Sequence, residues 1–193
     1  KEFLDRGNDS TNVSILPCGI DIDSYHIDEK DILFPDRSIV VGKIEPRKRQ
    51  AFLQHKGLNI DFIGNNSDGN FDIDDPCYFG EQSKEDIMEN LTSYANMVLL
   101  SSGEAHPFVC LEGMAAGLGL VLSEQSTANL DVSQPFITVI PDHKLNDTQF
   151  LKEQIDTNRR VAIGMRKEIR QYCRDNFDWC AIIKKYKEII EKI

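Results

Sequence analysis

Apolar residues in this chain fall into short runs separated by stretches in which they recur every three or four positions. The runs Val13–Leu16, Ser38–Val41, Ile60–Ile63, Cys77–Phe79, Met97–Leu100, Leu120–Leu122 and Phe136–Ile140 have the length and bounds of strands. Between them, Lys48–Gln54, Lys84–Tyr94, Pro107–Ala116 and Thr148 to about Met165 are predicted helices. The chain closes with two more, Arg166–Asn176 and Trp179–Ile193, parted by a turn at Asn176, Phe177 and Asp178. Strands alternating with helices make βαβ units. The pattern therefore predicts an α/β fold, a mainly parallel sheet with helices on both faces.

One segment carries more chemistry than the rest. Ser101–Val121 reads SSGEAHPFVCLEGMAAGLGLV and places Glu104 and Glu112 around the start of a helix. Pro107 suits a first helical position, where the missing N–H is no loss, and Gly117 is the expected stop. Glu104 then lies in the strand-to-helix loop and Glu112 about a turn inside the helix. Both can face the crevice at the carboxyl ends of the strands, where open α/β sheets bind ligands. Carboxylates accept from hydroxyls, and the free N–H groups of a helix start take an anion. Together they suit a ligand with sugar hydroxyls and a phosphate.

Charge sharpens this. The 193 residues carry 32 acidic against 22 basic side chains, a net charge of −10, which argues against a nucleic-acid surface. Lys43, Arg47, Lys48 and Arg49 nevertheless cluster in this acidic chain. A solvated basic helix start is one reading, a phosphate clamp beside Gly42 the other. No run approaches the eighteen or so apolar residues of a membrane span. The five cysteines, Cys18, Cys77, Cys110, Cys173 and Cys180, are odd in number with no C-x-x-C spacing, which fits reduced thiols in the cytoplasm. Asn65–Asp75, NNSDGNFDIDD, fails the register of a calcium loop and reads as a polar surface loop.

The segment E-A-H-P-F-V-C-L-E-G-M-A-A-G resembles the Glu-x7-Glu signature of the retaining glycosyltransferases of family 4 (glycosyl transferases group 1). Two further blocks agree. Val40 to Lys48, VVGKIEPRK, is similar to that family's strand-Gly-Arg-Leu-x-x-x-Lys element, with Lys43 in the Arg position and Lys48 in the Lys position. Ile15 to Asp21, ILPCGID, resembles its Pro-Asn-Gly-Ile-Asp. The resemblance implies a GT-B enzyme of two Rossmann-like domains, with this chain as its C-terminal, donor-binding half. Residues 1–11 would end a preceding element, 12–176 would form the donor domain, and 177–193 the final helix.

The resemblance also implies roles. Lys43 and Lys48 would hold the donor diphosphate and stabilise the leaving group, which could replace a metal; no metal site and no cofactor are expected. Glu104 would contact the donor sugar and Glu112 the ribose hydroxyls of a UDP- or GDP-type donor. Gly42 would allow close approach of the donor, and Ala105, His106, Pro107, Phe108 and Val109 would line the sugar and phosphate pocket. His106 has a second reading as a capping residue. A base-binding strip is expected near Gly64 and Gly80–Ser83. The acceptor, a glycan, lipid or protein, would bind the other half of the enzyme. Any attachment to a membrane would also run through that half.

Departures from the family pattern are Cys18 for Asn, Lys43 for Arg, Gly119 where Pro often precedes a strand, and Ser126–Asp131 in place of Gly-Gly-x-x-Glu. Ile182, Ile183, Tyr186, Ile189 and Ile190 form an apolar stripe on the last helix. It packs either into its own domain or toward the other half. Two alternatives to an active transferase stand beside this reading: a non-catalytic nucleotide- or sugar-binding or scaffolding module, and a dinucleotide-dependent dehydrogenase. The second lacks any G-x-G-x-x-G after a first strand. The first would not need a diphosphate clamp beside a sugar-facing carboxylate.

Overall fold

The computed structural model describes residues 15–27 and 32–191. Among these, the strands β1 (Phe34–Val41), β2 (Ile60–Ile63), β3 (Tyr94–Leu99), β4 (Gly119–Ser123) and β5 (Ile137–Ile140) form one sheet in the order β2-β1-β3-β4-β5. Every neighbouring pair runs parallel. The helices are α1 (Gln50–Gln54), α2 (Lys84–Asn90), α3 (Phe108–Ala115), α4 (Thr148–Gly164), α5 (Arg166–Phe177) and α6 (Trp179–Ile190). This is a Rossmann-like α/β fold.

The pleat sends successive side chains to opposite faces, and both faces are apolar. Ile39, Val41, Met97, Leu99, Leu120 and Leu122 point to the face covered by α3 and α5, where Cys110, Leu111, Met114, Ile169 and Cys173 meet them. Val40, Phe62, Val98, Leu100 and Val121 point to the other face, packed by Ala51 and Leu53 of α1 and by Leu151 and Ile155 of α4. Gly113 lets α3 lie close on the sheet, since a methyl there would sit 3.3 Å from Met97.

Several boundaries differ from the sequence reading. Cys77–Phe79 is not a strand of the sheet; Tyr78 makes a single parallel bridge to Phe62, with the Phe62 amide donating to the Cys77 carbonyl at 2.8 Å. β1 begins earlier than Ser38, and its register shifts between Phe34 and Ser38, where Pro35 cannot donate to a ladder. Lys48 belongs to a 3-10 turn, Pro46–Lys48, and Arg49 adopts φ 59° before α1 starts at Gln50. Helix α2 stops at Asn90, and Tyr94 already belongs to β3. Of the strand expected at Val13–Leu16, Val13 and Ser14 lie outside the described residues, and Ile15 and Leu16 are irregular. Residues 1–11 also lie outside. Asn176 and Phe177 are helical, so the break before α6 is at Asp178 alone.

The stripe on α6 is covered by its own domain only in part. Ile182 is buried, but Trp179, Ile183, Tyr186 and Ile190 are each about half exposed, at 50%, 49%, 52% and 51%. The acidic loop after Gly64 is tied down by Phe71, which packs edge-on against Phe62 and Tyr78 at 5.4 and 5.1 Å between ring centres.

Gly119 has a structural reason. A Cβ there would lie 2.6 Å from Asn158 Oδ1 and 2.8 Å from Ala162. Asn158 is the hub of a buried network: its Nδ2 donates to the carbonyls of Leu120 (3.1 Å) and Phe136 (3.0 Å), and its Oδ1 accepts from Asn96 at 3.0 Å. Gly119→Ala is therefore expected to destabilise the fold by about 1–3 kcal/mol, the usual range for overpacking. Urea unfolding checks this; a loss below about 0.5 kcal/mol would mean α4 is not seated this closely.

Candidate functional site

The strand order makes β1 and β3 neighbours while the chain leaves them toward opposite faces, α1 on one side and α3 on the other. A crevice opens at such a switch point, outside the carboxyl ends of the strands. The loop after β1 carries Gly42, Lys43 and Lys48, and the loop after β3 carries Glu104 and His106. The sheet topology thus brings the two blocks together.

Arg47 stitches the loops. Its guanidinium donates to Glu45 at 2.7 Å, to Ser101 Oγ at 3.1 Å, to the Gly103 carbonyl and to Glu104 Oε1 at 3.0 Å. Its own carbonyl accepts from the Ser102 amide at 2.8 Å. Arg49 is also engaged, donating to the Leu100 carbonyl at 3.1 Å and lying 3.8 Å from Asp142. By contrast, the ammonium groups of Lys43 and Lys48 have no hydrogen bond or ion pair to any described residue. Of the four clustered cations, the two arginines tie the loops together and the two lysines have no partner among the described residues.

Local backbone places those lysines. Gly42 has φ +131°, and a Cβ on it would come within 2.9 Å of Lys48 Nζ, so the missing side chain is what lets the ammonium lie over the strand end. Arg49 at φ 59° turns the chain sharply after Lys48, at the cost of about 1–2 kcal/mol for a left-handed non-glycine residue. Gln50, buried, braces the loop with its amide: Nε2 donates to the Lys43 carbonyl at 2.9 Å, and Oε1 accepts from the Glu45 amide at 3.2 Å.

A cavity of about 340 Å³ continues from this point, lined by Gly42, Lys43, Gly64, Asn65, Glu81 and Gln82 with Ile87 at its back. Of the strip expected for a base, Gly64, Glu81 and Gln82 line it, while Gly80 and Ser83 do not. The Gly64 amide donates to the Gly80 carbonyl at 2.8 Å, which fixes the Gly80–Gln82 wall.

On the other side of the crevice, α3 starts at Phe108 with Pro107 as its N-cap residue, one position off the expected first turn. Its first amides, those of Phe108 and Val109, belong to the group a helix leaves without intrahelical partners. Gly117 closes the helix at φ +78°, and the Leu118 amide reaches back to the Gly113 carbonyl at 2.9 Å. The Glu104 carboxylate keeps 15% side-chain exposure at the crevice while paired with Arg47. Glu112, half-buried, accepts at Oε1 from the Tyr25 hydroxyl at 3.1 Å. Burial pushes its carboxyl above the ordinary 4.5, with the Tyr25 hydrogen bond and the charge of Lys84 acting in the opposite direction.

His106 does not cap α3, since the cap makes no side-chain hydrogen bond; its Nδ1 lies 3.1 Å from Asn129 Nδ2 in the loop after β4. Burial lowers its pKa, against the main chain of Ala128 and Cys18, and keeps the ring neutral near neutral pH. The Phe108 side chain, 40% exposed, leaves the crevice and lines a separate recess of about 260 Å³ with Tyr25, Lys84 and Trp179. Pro107 is buried and Val109 packs toward the core. Cys110 is fully buried and its thiol is pushed far up, so it packs and does not react. Sequence reasoning missed Arg47 as the partner of Glu104, Gln50 as the loop brace and Tyr25 as the partner of Glu112.

No protein-family model and no curated protein sequence matches this chain. Solved structures do match it. It superposes on sucrose-phosphate synthase from Thermosynechococcus elongatus with a TM-score of 0.69 and 17% identity, covering 93% of this chain and 52% of that one. Anabaena HepE, solved with UDP and glucose, gives 0.68 at 16% identity over 99% of this chain and 60% of that one. The lipopolysaccharide outer core galactosyltransferase WaaB gives 0.71 at 13% identity over 99% and 58%. The fold is that of a GT-B glycosyltransferase domain. The chain spans between about half and three-fifths of the length of these structures. No helix among the described residues is long and apolar enough to cross a membrane.

Proposed function

We propose that this chain is the nucleotide-sugar-binding part of a retaining glycosyltransferase that moves a hexose to a glycan, lipid or protein acceptor. The observation that carries the reading is the pair of uncommitted ammonium groups, Lys43 and Lys48, beside Gly42 at the switch point. The neighbouring loop after β3 carries Glu104 and leads into the start of α3. An acidic chain of net charge −10 that keeps two cations unpaired in its crevice is suited to an anionic ligand.

In this reading the lysines hold the donor diphosphate. As the glycosidic bond breaks, negative charge grows on the leaving phosphate, and fixed cations stabilise that state more than the bound donor. Two lysines then do the work a metal ion would otherwise do. The cavity at Gly64, Glu81 and Gln82 takes the base, Glu112 accepts from the ribose hydroxyls, and Glu104, held by Arg47, faces the sugar. The UDP and glucose bound by HepE support a nucleoside-diphosphate hexose as donor. All five cysteines are free, in keeping with chemistry in the cytoplasm. Transfer also needs an acceptor in near-attack geometry and exclusion of water, which the rest of a two-domain enzyme would supply. The isolated chain is therefore expected to bind nucleotide but to show negligible transfer, with activity appearing when the other half is joined to it.

Titration of two variants tests the placement of donor parts. Glu112→Gln is expected to weaken UDP or GDP itself by about 1.5–3 kcal/mol, the worth of a hydrogen bond to a charged group. Glu104→Gln should leave free nucleotide nearly unaffected and weaken the intact nucleotide sugar. The reverse order would overturn the assignment of ribose and sugar to these carboxylates.

A further inference from the structure

Tyr25 lies 87 positions before Glu112 in the chain, in a segment the crevice loops do not include. It is buried, at 2% exposure, yet its hydroxyl reaches Glu112 Oε1 at 3.1 Å. The segment is anchored independently of that bond. Arg170 donates to the carbonyls of Tyr25 (2.5 Å), Ile22 (3.0 Å) and Ala115 (2.6 Å), the last at the end of α3. One guanidinium thus pins the Tyr25 backbone to the same helix that carries Glu112. The Tyr25 amide closes a turn onto the Ile22 carbonyl at 3.0 Å. With the ring packed in the core and the backbone fixed at three points, the hydroxyl has a set position and one charged acceptor.

We infer that Tyr25 is a positioning residue for Glu112: its hydroxyl holds Oε1, fixes the rotamer, and leaves Oε2 as the acceptor aimed at the ribose. The inference rests on the proposed role of Glu112 in donor binding. The physical need is plain. A half-buried carboxylate at the edge of an apolar core tends to take up a proton, and a protonated acid loses an acceptor. A neutral donor stabilises the charged form without competing for the second oxygen. The other groups that act on the pair are few. Lys84 on α2 favours the carboxylate, and the neutral Cys110 thiol lies on the same helix. Around the phenol stand Cys173 and Asp21. Burial and Glu112 drive the phenol's own pKa far up, so Tyr25 remains a donor throughout the working range.

Tyr25→Phe removes the hydroxyl and keeps the buried ring. Two measurements on the full chain decide the matter. The first needs no ligand: the Glu112 carboxyl is titrated by carbon NMR in parent and variant. Its pKa is expected to move up in Tyr25→Phe, since a bond to the charged form is lost. The second is calorimetry with UDP and with GDP between pH 5 and 8, on Tyr25→Phe, Glu112→Gln and the double variant. Tyr25→Phe should bind about five- to tenfold more weakly at pH 7, as for loss of one hydrogen bond. Its deficit should widen as pH falls, because protonation now removes the acceptor at a higher pH. The double variant should be no worse than Glu112→Gln alone. An unmoved Glu112 pKa, or losses that simply add in the double variant, would overturn the inference and leave Tyr25 as core packing. If Glu112→Gln binds nucleotide like the parent while the NMR shift appears, the ribose assignment fails instead.

Discussion

Gly64→Ala is expected to lower the stability of this domain by about 3 kcal/mol or more, with loss of nucleotide binding in whatever remains folded. Gly64 sits at φ +148°, a region closed to side chains, and a Cβ there would overlap the Gly42 carbonyl. The obstacle is backbone on both sides, so no rotamer change relieves it. Gly42 donates its amide to the Ile63 carbonyl at 2.9 Å, and the two strand ends cannot part without losing that bond. Gly57 provides the comparison. It has φ +63° with nothing near its missing Cβ, so Gly57→Ala meets only the left-handed cost of about 1–2 kcal/mol. Urea unfolding of both variants checks the ranking; equal losses would mean the ends of β1 and β2 do not close on each other as described.

Lys48→Ala is expected to weaken UDP and GDP by about 1.5–3 kcal/mol, the range for a hydrogen bond to a charged group. The bare nucleosides should bind parent and variant alike. The size follows from how the ammonium is held: Lys48 is half-buried over Gly42, whereas Lys43 is exposed and its charge is screened by solvent. Lys43→Ala should accordingly show the smaller loss and the stronger salt dependence. Calorimetry that finds nucleoside and nucleotide weakened equally would remove Lys48 from the phosphate site.

The parallel sheet was readable from sequence because its inner strands are buried on both faces. Ile39 to Val41 and Met97 to Leu100 are apolar without interruption, and such runs admit few other readings. The same criterion misread Cys77–Phe79. That segment is apolar enough for a strand, but it touches β2 at one bridge, and the number of bonds a segment forms is not a property of its own residues. In the candidate site, Glu104, Glu112, Lys43, Lys48 and Gly42 stand out in the sequence because they lie at fixed offsets within two contiguous blocks. Tyr25 was not, since its link to Glu112 crosses 87 positions. Arg47 was in view as a charge, yet nothing local distinguishes a cation that will be tied to Glu45, Glu104 and Gly103 from one left open. That sorting is made by the neighbouring strand. Gly119 likewise reads as an odd departure until Asn158 fills the space beside it.

The seating of Trp179 has a practical result. It is the single tryptophan of the sequence, and its indole lies flat enough on Gly19 that a Cβ there would be 2.5 Å from the ring. Half of its surface is open, toward the recess it shares with Tyr25 and Phe108. Indole emission from this chain therefore has one origin, a few side chains from the Glu112 carboxylate and at the head of the exposed stripe on α6. A ligand that displaces water from the recess shifts that emission to shorter wavelength, and so does a surface that covers the stripe. Quenching by iodide separates them, since a covering surface shields the indole outright while a small ligand leaves its outer edge within reach.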